Sequence, residues 1–242
     1  GNSFAEAFDI KYLDKDGKLK APYQTSWGVS TRLIGAGIMT HGDQRGLCLP
    51  PAIAPVQAVI IPVAMHKDGV LDKCREVYIA LKSVARVKLD DRDFTPGWKF
   101  NEYEMKGVPV RIEIGPRDIE NGVATVARRD KTEEKFTIRL DDIATELPKL
   151  LADIQTNMYN KALAFRDSHV KIVSDTAELK DAVDSGNFAL GMWCGDRECE
   201  DKIKEITGAS TRNMPFDQTP CGDKCVCCGK KATKKIYFGK AY

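Results

Sequence analysis

Apolar and polar residues alternate along the chain in a way that divides it into three stretches, and the middle one is the most legible. From Val56 to Val63 the residues are almost continuously apolar, as in a strand covered on both faces. Between Asp68 and Ala85, Val70, Cys74, Val77, Tyr78, Leu81 and Val84 recur at helical spacing. Arg86 to Leu89 reads as a short strand, and Pro96 to Lys106 as a helix stopped by Gly107. Pro109 to Ile114 sets Val110, Ile112 and Ile114 against Arg111 and Glu113, a strand alternation. Val123 to Arg128 and Lys135 to Leu140 read as an antiparallel pair around a charged turn. Asp141 then caps a helix whose Ile143, Leu147, Leu150, Leu151, Ile154 and Met158 share one face. Strands alternating with helices predict an α/β domain with a mixed sheet over residues 52–165.

The flanking stretches are less regular. In residues 1–51, Phe8 to Leu13 alternates like a strand, Asp16-Gly17 forms a turn, and Tyr23 to Gly28 is the expected return strand. Ser30 and Thr31 are helix-capping types ahead of a helix over Leu33 to Thr40, and Leu49-Pro50-Pro51 marks a boundary. In residues 166–242, Val170 to Val173, Phe188 to Trp193 and Ile236 to Phe238 read as strands and Thr176 to Asp184 as a helix, a small α+β unit.

Composition narrows the picture only slightly. Hydrophobic residues at 43% and charged residues at 30% are globular values, and no apolar run reaches the length of a membrane span. The net charge of +2 excludes a purely electrostatic nucleic-acid binder but not a local basic patch. Cysteine placement is more telling. Only Cys48 and Cys74 precede residue 190, whereas Cys194, Cys199, Cys221, Cys225, Cys227 and Cys228 crowd the last 49 residues. Such a cluster points to a metal site in a reducing compartment, not to a secreted disulfide scaffold. Cys194 and Cys199 form one ligand pair. Cys225 with Cys228 has the two-residue gap of a zinc knuckle, Cys227 is the alternate, and Gly229 follows. The histidines, His41, His66 and His169, lie far from the cluster in sequence, so a closed structural zinc site is expected. A redox dithiol is the weaker rival.

Three stretches carry a longer pattern: 23–32 (YQTSWGVSTR), 41–51 (HGDQRGLCLPP) and 96–118 (PGWKFNEYEMKGVPVRIEIGPRD). Together with the late cysteine pairs and the terminal Gly-Lys-Ala-Tyr242, they closely resemble prolyl-tRNA synthetases of the eukaryotic and archaeal type, over residues 1–242. The resemblance implies the end of a class II antiparallel-sheet catalytic domain (1–51), an anticodon-binding domain (52–165) and a C-terminal zinc domain (166–242). Ser26 to Arg32 then looks like the third class II motif. Ser30, Thr31 and Arg32 would bind ATP, and Ser26, Trp27 and Gly28 would line the proline and adenylate pocket. The first two motifs have no counterpart, so the chain alone is expected not to activate proline. The complete enzyme would use ATP and Mg²⁺ to form prolyl-adenylate and then charge tRNA(Pro), as a cytoplasmic homodimer with no membrane association.

A proline anticodon presents two unpaired guanines. Each exposes N1–H and N2–H donors and an O6 acceptor, which carboxylates and basic side chains read beside a stacking aromatic. By the resemblance, Phe100, Glu104, Arg111 and Asp118 make these contacts. His41 and Asp43 are expected to shape a helix end, and Arg45 carries no assignment. Some relatives end the knuckle with Cys-Val-Cys-Gly and others with Cys-x-x-Cys-Gly. Cys225-Val-Cys227-Cys228-Gly229 satisfies both, so the fourth ligand stays open, although knuckle chemistry favours Cys228. The C-terminal Tyr242 would pack back toward the catalytic domain. The alternative from another class is a non-catalytic tRNA-binding protein that reuses the anticodon and zinc domains. A zinc-stabilised interaction module with the lysine-rich tail as its contact surface is the third reading.

Overall fold

The computed structural model describes residues 1–131 and 134–241. Tyr242, and with it the expectation for its carboxylate, lies outside the described residues. The middle stretch builds a five-stranded sheet from β3 (Ala58–Pro62), β4 (Val87–Leu89), β5 (Val110–Ile114), β6 (Val123–Arg128) and β7 (Lys135–Arg139), in the order β4-β3-β5-β6-β7. β3 runs parallel to β4 and β5, and β5, β6 and β7 are antiparallel. The mixed α/β sheet is therefore as the sequence pattern anticipates.

The apolar run of β3 follows from its position, because both faces of the strand are covered. Ala58 and Ile60 face a core shared with α3 (Val70–Leu81) and α6 (Ile143–Ser168), through Val77, Leu81, Leu147 and Ile154. Val59 and Ile61 face Tyr103 of α4 (Pro96–Met105) and Val108. Thr95 caps α4: its side chain accepts the Trp98 N–H, and Pro96 occupies the first helical position, where no N–H is needed.

Two glycines fasten α4 to the segment that precedes the sheet. Leu47 N–H donates to the Met105 carbonyl at 3.0 Å and Leu49 N–H to the Gly107 carbonyl at 3.1 Å. At Gly46 (φ +125°) a Cβ would lie 2.7 Å from the Met105 backbone, and at Gly107 (φ +71°) 2.7 Å from Leu47. Only glycine fits at either point. Cys48 joins the main core, so residues 46–49 pack as part of the α/β unit, on the near side of the boundary expected at Pro50-Pro51.

The last stretch forms a four-stranded sheet, β10-β11-β9-β8, from β8 (Val170–Ile172), β9 (Phe188–Trp193), β10 (Ala209–Asn213) and β11 (Lys234–Lys240). The helices α7 (Thr176–Asp184) and α8 (Arg197–Thr207) pack on it through Leu179, Val183 and Ile203 against Phe238. The sequence pattern did not reveal α8 or β10. α8 is strongly charged, and β10, Ala-Ser-Thr-Arg-Asn, carries no apolar alternation.

Several expectations for the first stretch need correction. The hairpin pairs β1 (Tyr12–Leu13) with β2 (Leu19–Lys20) around Asp16-Gly17, and Tyr23 to Gly28 has no regular structure. Phe8 follows a short helix, α1 (Ser3–Ala7), and is not part of a strand. The predicted helix spans Arg32–His41 (α2) and stops at Gly42, but neither Ser30 nor Thr31 caps it; Ser30 Oγ only accepts the Arg32 N–H at a long 3.4 Å. Apolar side chains in this stretch point to solvent: Trp27 is 95% exposed, and Val29, Leu33 and Ile34 are exposed too.

Two further differences concern α6. Its N-cap is Asp142, with no side-chain cap bond, in place of the Asp141 cap. The helix runs through Ser168, so the boundary expected at 165/166 falls inside its last turn. A fifth helix, α5 (Pro116–Glu120), follows β5.

Candidate nucleic-acid interface and metal centre

The exposed edge of α4 and the start of β5 gather most of the residues picked out for base reading. Phe100 and Glu104 are one helical turn apart and share a face. The Arg111 guanidinium lies over the Phe100 ring at 4.3 Å, and Lys135 Nζ from β7 lies 5.4 Å from the same ring. Glu113 fixes both cations. It accepts from Arg111 Nε at 2.9 Å and from Lys135 Nζ at 2.9 and 3.1 Å. Arg111 and Glu113 therefore form an ion pair along the strand. It uses only Nε, and among the described residues the terminal nitrogens of Arg111 have no partner. Lys135 was missed because it comes from another strand with no motif around it.

Asp118 follows the far end of β5 and meets the cluster through β6, because its partner Thr125 is paired across the ladder with Glu113. Its Oδ2 accepts the Gly115 N–H at 2.9 Å and its Oδ1 the Thr125 hydroxyl at 3.0 Å. In this arrangement it shapes the turn into α5.

Behind the cluster lies a knot of charges. The Arg129 side chain, 3% exposed, donates through both terminal nitrogens to Asp43 at 2.6 and 2.7 Å, and through Nε to the Glu104 carbonyl at 3.0 Å. That guanidinium holds the Asp43 carboxyl at about 2, below the usual carboxylate range. Deeper still, buried Lys99 donates to the Asp90 carbonyl at 3.0 Å, and Arg92 bridges Asp90 and Glu102. These charges fix the base of α4; Lys99, Asp90 and Arg129 are buried, whereas Arg92 and Asp43 stay partly open to solvent.

Of the third-motif residues only Ser26 borders one of the cavities described, which it shares with Phe4, Phe8 and Ile10. Ser26, Trp27, Gly28, Ser30, Thr31 and Arg32 are all exposed. Arg32 opens α2 and has no ion-pair partner among the described residues.

The cysteine cluster is assembled. The sulfurs of Cys194, Cys199, Cys225 and Cys228 lie within 4.8 Å of one another, with Cys194 and Cys228 at 3.9 Å. A tetrahedral zinc with bonds of about 2.3 Å sets its sulfurs roughly 3.8 Å apart, so the four thiols fit such an ion. Cys194 leaves the end of β9, Cys199 sits on α8, and Cys225 and Cys228 flank a tight turn closed by the Gly229 N–H on the Cys225 carbonyl. Gly229 takes the positive φ (+69°) that this turn requires. Burial raises the Cys199 and Cys194 thiols. Burial acts in the same sense at Cys225, but the N–H groups of Cys228, Cys227 and Cys194 outweigh it and bring that thiol down to about 7. Cys227 falls outside the group and packs against the core, whereas Cys228 lies with the other three sulfurs.

The fold and these two sites amount to an α/β domain with a mixed sheet, joined to a smaller unit that gathers four cysteines. Residues 57–150 match the anticodon binding domain family, and residues 176–242 match the family described as prolyl-tRNA synthetase, C-terminal. Along its whole length the chain is 53% identical to a proline–tRNA ligase of Clostridium novyi and 54% identical to one of Ruminiclostridium cellulolyticum, covering 51% of each. It also superposes along its whole length on prolyl-tRNA synthetase of Cryptosporidium parvum solved with L-proline and AMP, at 38% identity and a TM-score of 0.89, covering 53% of that chain. The chain is similar to the C-terminal region of prolyl-tRNA synthetases, through its anticodon-binding and its C-terminal domain, and spans about half the length of the curated relatives it matches. These likenesses do not favour the non-catalytic alternative.

Proposed function

We propose that this chain is the anticodon-reading and metal-stabilised part of a proline–tRNA ligase, which joins proline to ATP as prolyl-adenylate and passes it to tRNA(Pro). The observation that carries the reading is the convergence of half-buried Phe100, Glu104 and Arg111 at one place on the domain that matches the anticodon-binding family. An aromatic ring, a carboxylate and a guanidinium supply the stacking surface, the acceptor and the donor that an unpaired guanine needs. Asp118 supports the turn at the other end of β5, and its carboxylate, which accepts one hydrogen bond at each oxygen, keeps acceptor capacity for a base donor.

Residues 1–51 are the end of the catalytic domain, 52–165 the anticodon domain and 166–242 the zinc domain. Ser30, Thr31 and Arg32 bind ATP, with the planar Arg32 guanidinium on the adenine end. Ser26, Trp27 and Gly28 line the proline site. The solvent-facing Trp27, Val29, Leu33 and Ile34 support this reading, because the remaining half of the relatives' length supplies a surface to cover them. Mg²⁺ neutralises phosphate charge when ATP is bound. Zinc is held by Cys194, Cys199, Cys225 and Cys228 as a closed, structural ion. The protein is a cytoplasmic homodimer, and its reduced cysteine set suits that compartment. Among the described residues no helix is long and apolar enough to cross a membrane.

The test is charging. The complete polypeptide that contains this chain should drive proline-dependent exchange of pyrophosphate into ATP and load proline onto tRNA(Pro). Loading of a different amino acid, or of none, sinks the reading.

A further inference from the structure

A small open cavity of about 100 Å³ lies beside the base-reading cluster, between Glu104, Arg111, Val108 and Ala127. One of its walls comes from outside the anticodon domain: it is Arg45, from the turn that follows α2. Arg45 Nη1 donates to Glu104 Oε1 at 3.1 Å across 59 residues of sequence. We propose that Arg45 is a further specificity residue for the anticodon, reading one guanine together with Glu104. The proposal rests on the anticodon reading given above.

Two observations set this pair apart from an ordinary surface ion pair, which is worth little. The first is the backbone that presents Arg45. Asp43 and Gly46 exchange backbone hydrogen bonds at 3.0 and 3.1 Å, and Asp43 Oδ1 accepts the Arg45 N–H at 2.8 Å. The same Asp43 carboxylate is gripped by buried Arg129, whose Nε binds the Glu104 carbonyl. Gly46 lies directly on the Met105 backbone. The turn and the end of α4 thus form one rigid piece, and the Arg45 and Glu104 side chains are aimed from fixed bases. Preorganisation of this kind is what reading a base edge demands.

The second observation is the pattern of donors and acceptors. A guanidinium beside a carboxylate presents donor, acceptor, acceptor in a row. Guanine's pairing edge offers O6, N1–H and N2–H, which is acceptor, donor, donor, the complement. Adenine offers a donor and then an acceptor and meets the row with like against like. Arg45 remains half exposed and spends one nitrogen on Glu104. Its other N–H groups face no partner among the described residues. The cavity is too small to enclose a whole base, so the edge enters while the ring stays outside, on the side of Phe100.

The test is binding of the purified protein to an RNA hairpin with the anticodon loop of proline tRNA, and to two further hairpins with either guanine replaced by adenine. Wild-type protein should lose about tenfold in affinity on either replacement. Arg45→Ala should lose about tenfold on the parent hairpin. It should then lose nothing further on one of the two adenine hairpins, while the other replacement keeps its full effect. Arg45→Lys, which keeps the charge but not the fork, should bind the parent nearly as well in low salt, yet show the same missing discrimination. Uniform weakening of all three hairpins by Arg45→Ala, or wild-type discrimination in either variant, overturns the proposal. Equal binding of all three by the wild-type protein overturns the anticodon reading itself and the role of Arg45 with it.

Discussion

Asp43 and Arg129 show how much of this molecule is decided by single side chains that no pattern exposes. Arg129 is almost fully buried, and its charge is answered by a carboxylate 86 residues earlier. The Asp43 carboxyl sits at about 2 when folded, chiefly because of that guanidinium, against a value near 3.9 for an unfolded chain. A depressed carboxylate stabilises the fold above its unfolded pKa and loses that stabilisation as pH falls through its folded one. The window is therefore from about pH 4 down to about pH 2. Asp43→Asn should cost about 1–2 kcal/mol at pH 7, at the low end for a charged hydrogen bond because Asp43 stays half exposed. Thermal unfolding at a series of pH values should show the gap between variant and wild type closing across that window, and a constant gap would contradict the account. The sequence reading placed Asp43 at a helix end and left Arg45 without a role. Neither partner is near in sequence, so spacing held no signal. The knuckle cysteines are the opposite case. The gap between Cys225 and Cys228, with Gly229 behind it, made the ligand set readable, and geometry only removed Cys227 from it.

At the scale of elements, legibility follows how many faces are buried. α3, β5, β6 and the first half of α6 were readable because their apolar residues meet one core, and β3 because it is buried on both faces. α8 and β10 were not, since α8 is strongly charged with few apolar positions and β10 is polar throughout. The hairpin of β1 and β2 was placed too late in the chain because the apolar residues at Tyr23 to Gly28 suggested a strand, and apolar character without a core to face is a poor guide. The contact between α4 and residues 46–49 is backbone on backbone and left only two glycines as its trace. Gly107→Ala forces a left-handed residue with a Cβ against Leu47, so the strain alone should cost at least about 1–2 kcal/mol. Urea titration measures this directly. Hydrogen exchange should quicken at the amides of Leu47 and Leu49, which donate across the joint. Unchanged protection there would mean that the joint is held by side chains instead.

Across the whole molecule, α6, a helix of 26 residues, packs its first half into the core of the α/β unit and leads along the chain into a last unit with a core of its own. The sheet from β3 to β7 has its own core of aliphatic residues, whereas the last unit builds a second around Phe238 and shares Trp193 and Cys227 with the cysteine cluster. Metal removal should therefore act unevenly. Treatment with a chelator should lower the unfolding temperature of the last unit and leave the transition of the α/β unit in place. Elemental analysis should find one zinc per chain in wild type and Cys227→Ser, and close to none in Cys228→Ser. Metal lost from Cys227→Ser but kept by Cys228→Ser would reverse the ligand assignment. The welded joint has a bearing on protein engineering as well. Anyone grafting this reader of anticodons onto another synthetase would be drawn to cut at Pro50-Pro51, where the sequence advertises a seam. The graft would then leave behind Asp43, Gly46 and Leu47, and with them the partner of Arg129 and the bed on which α4 rests. A cut upstream, at Gly42, where α2 ends and the turn begins, keeps these contacts within the graft.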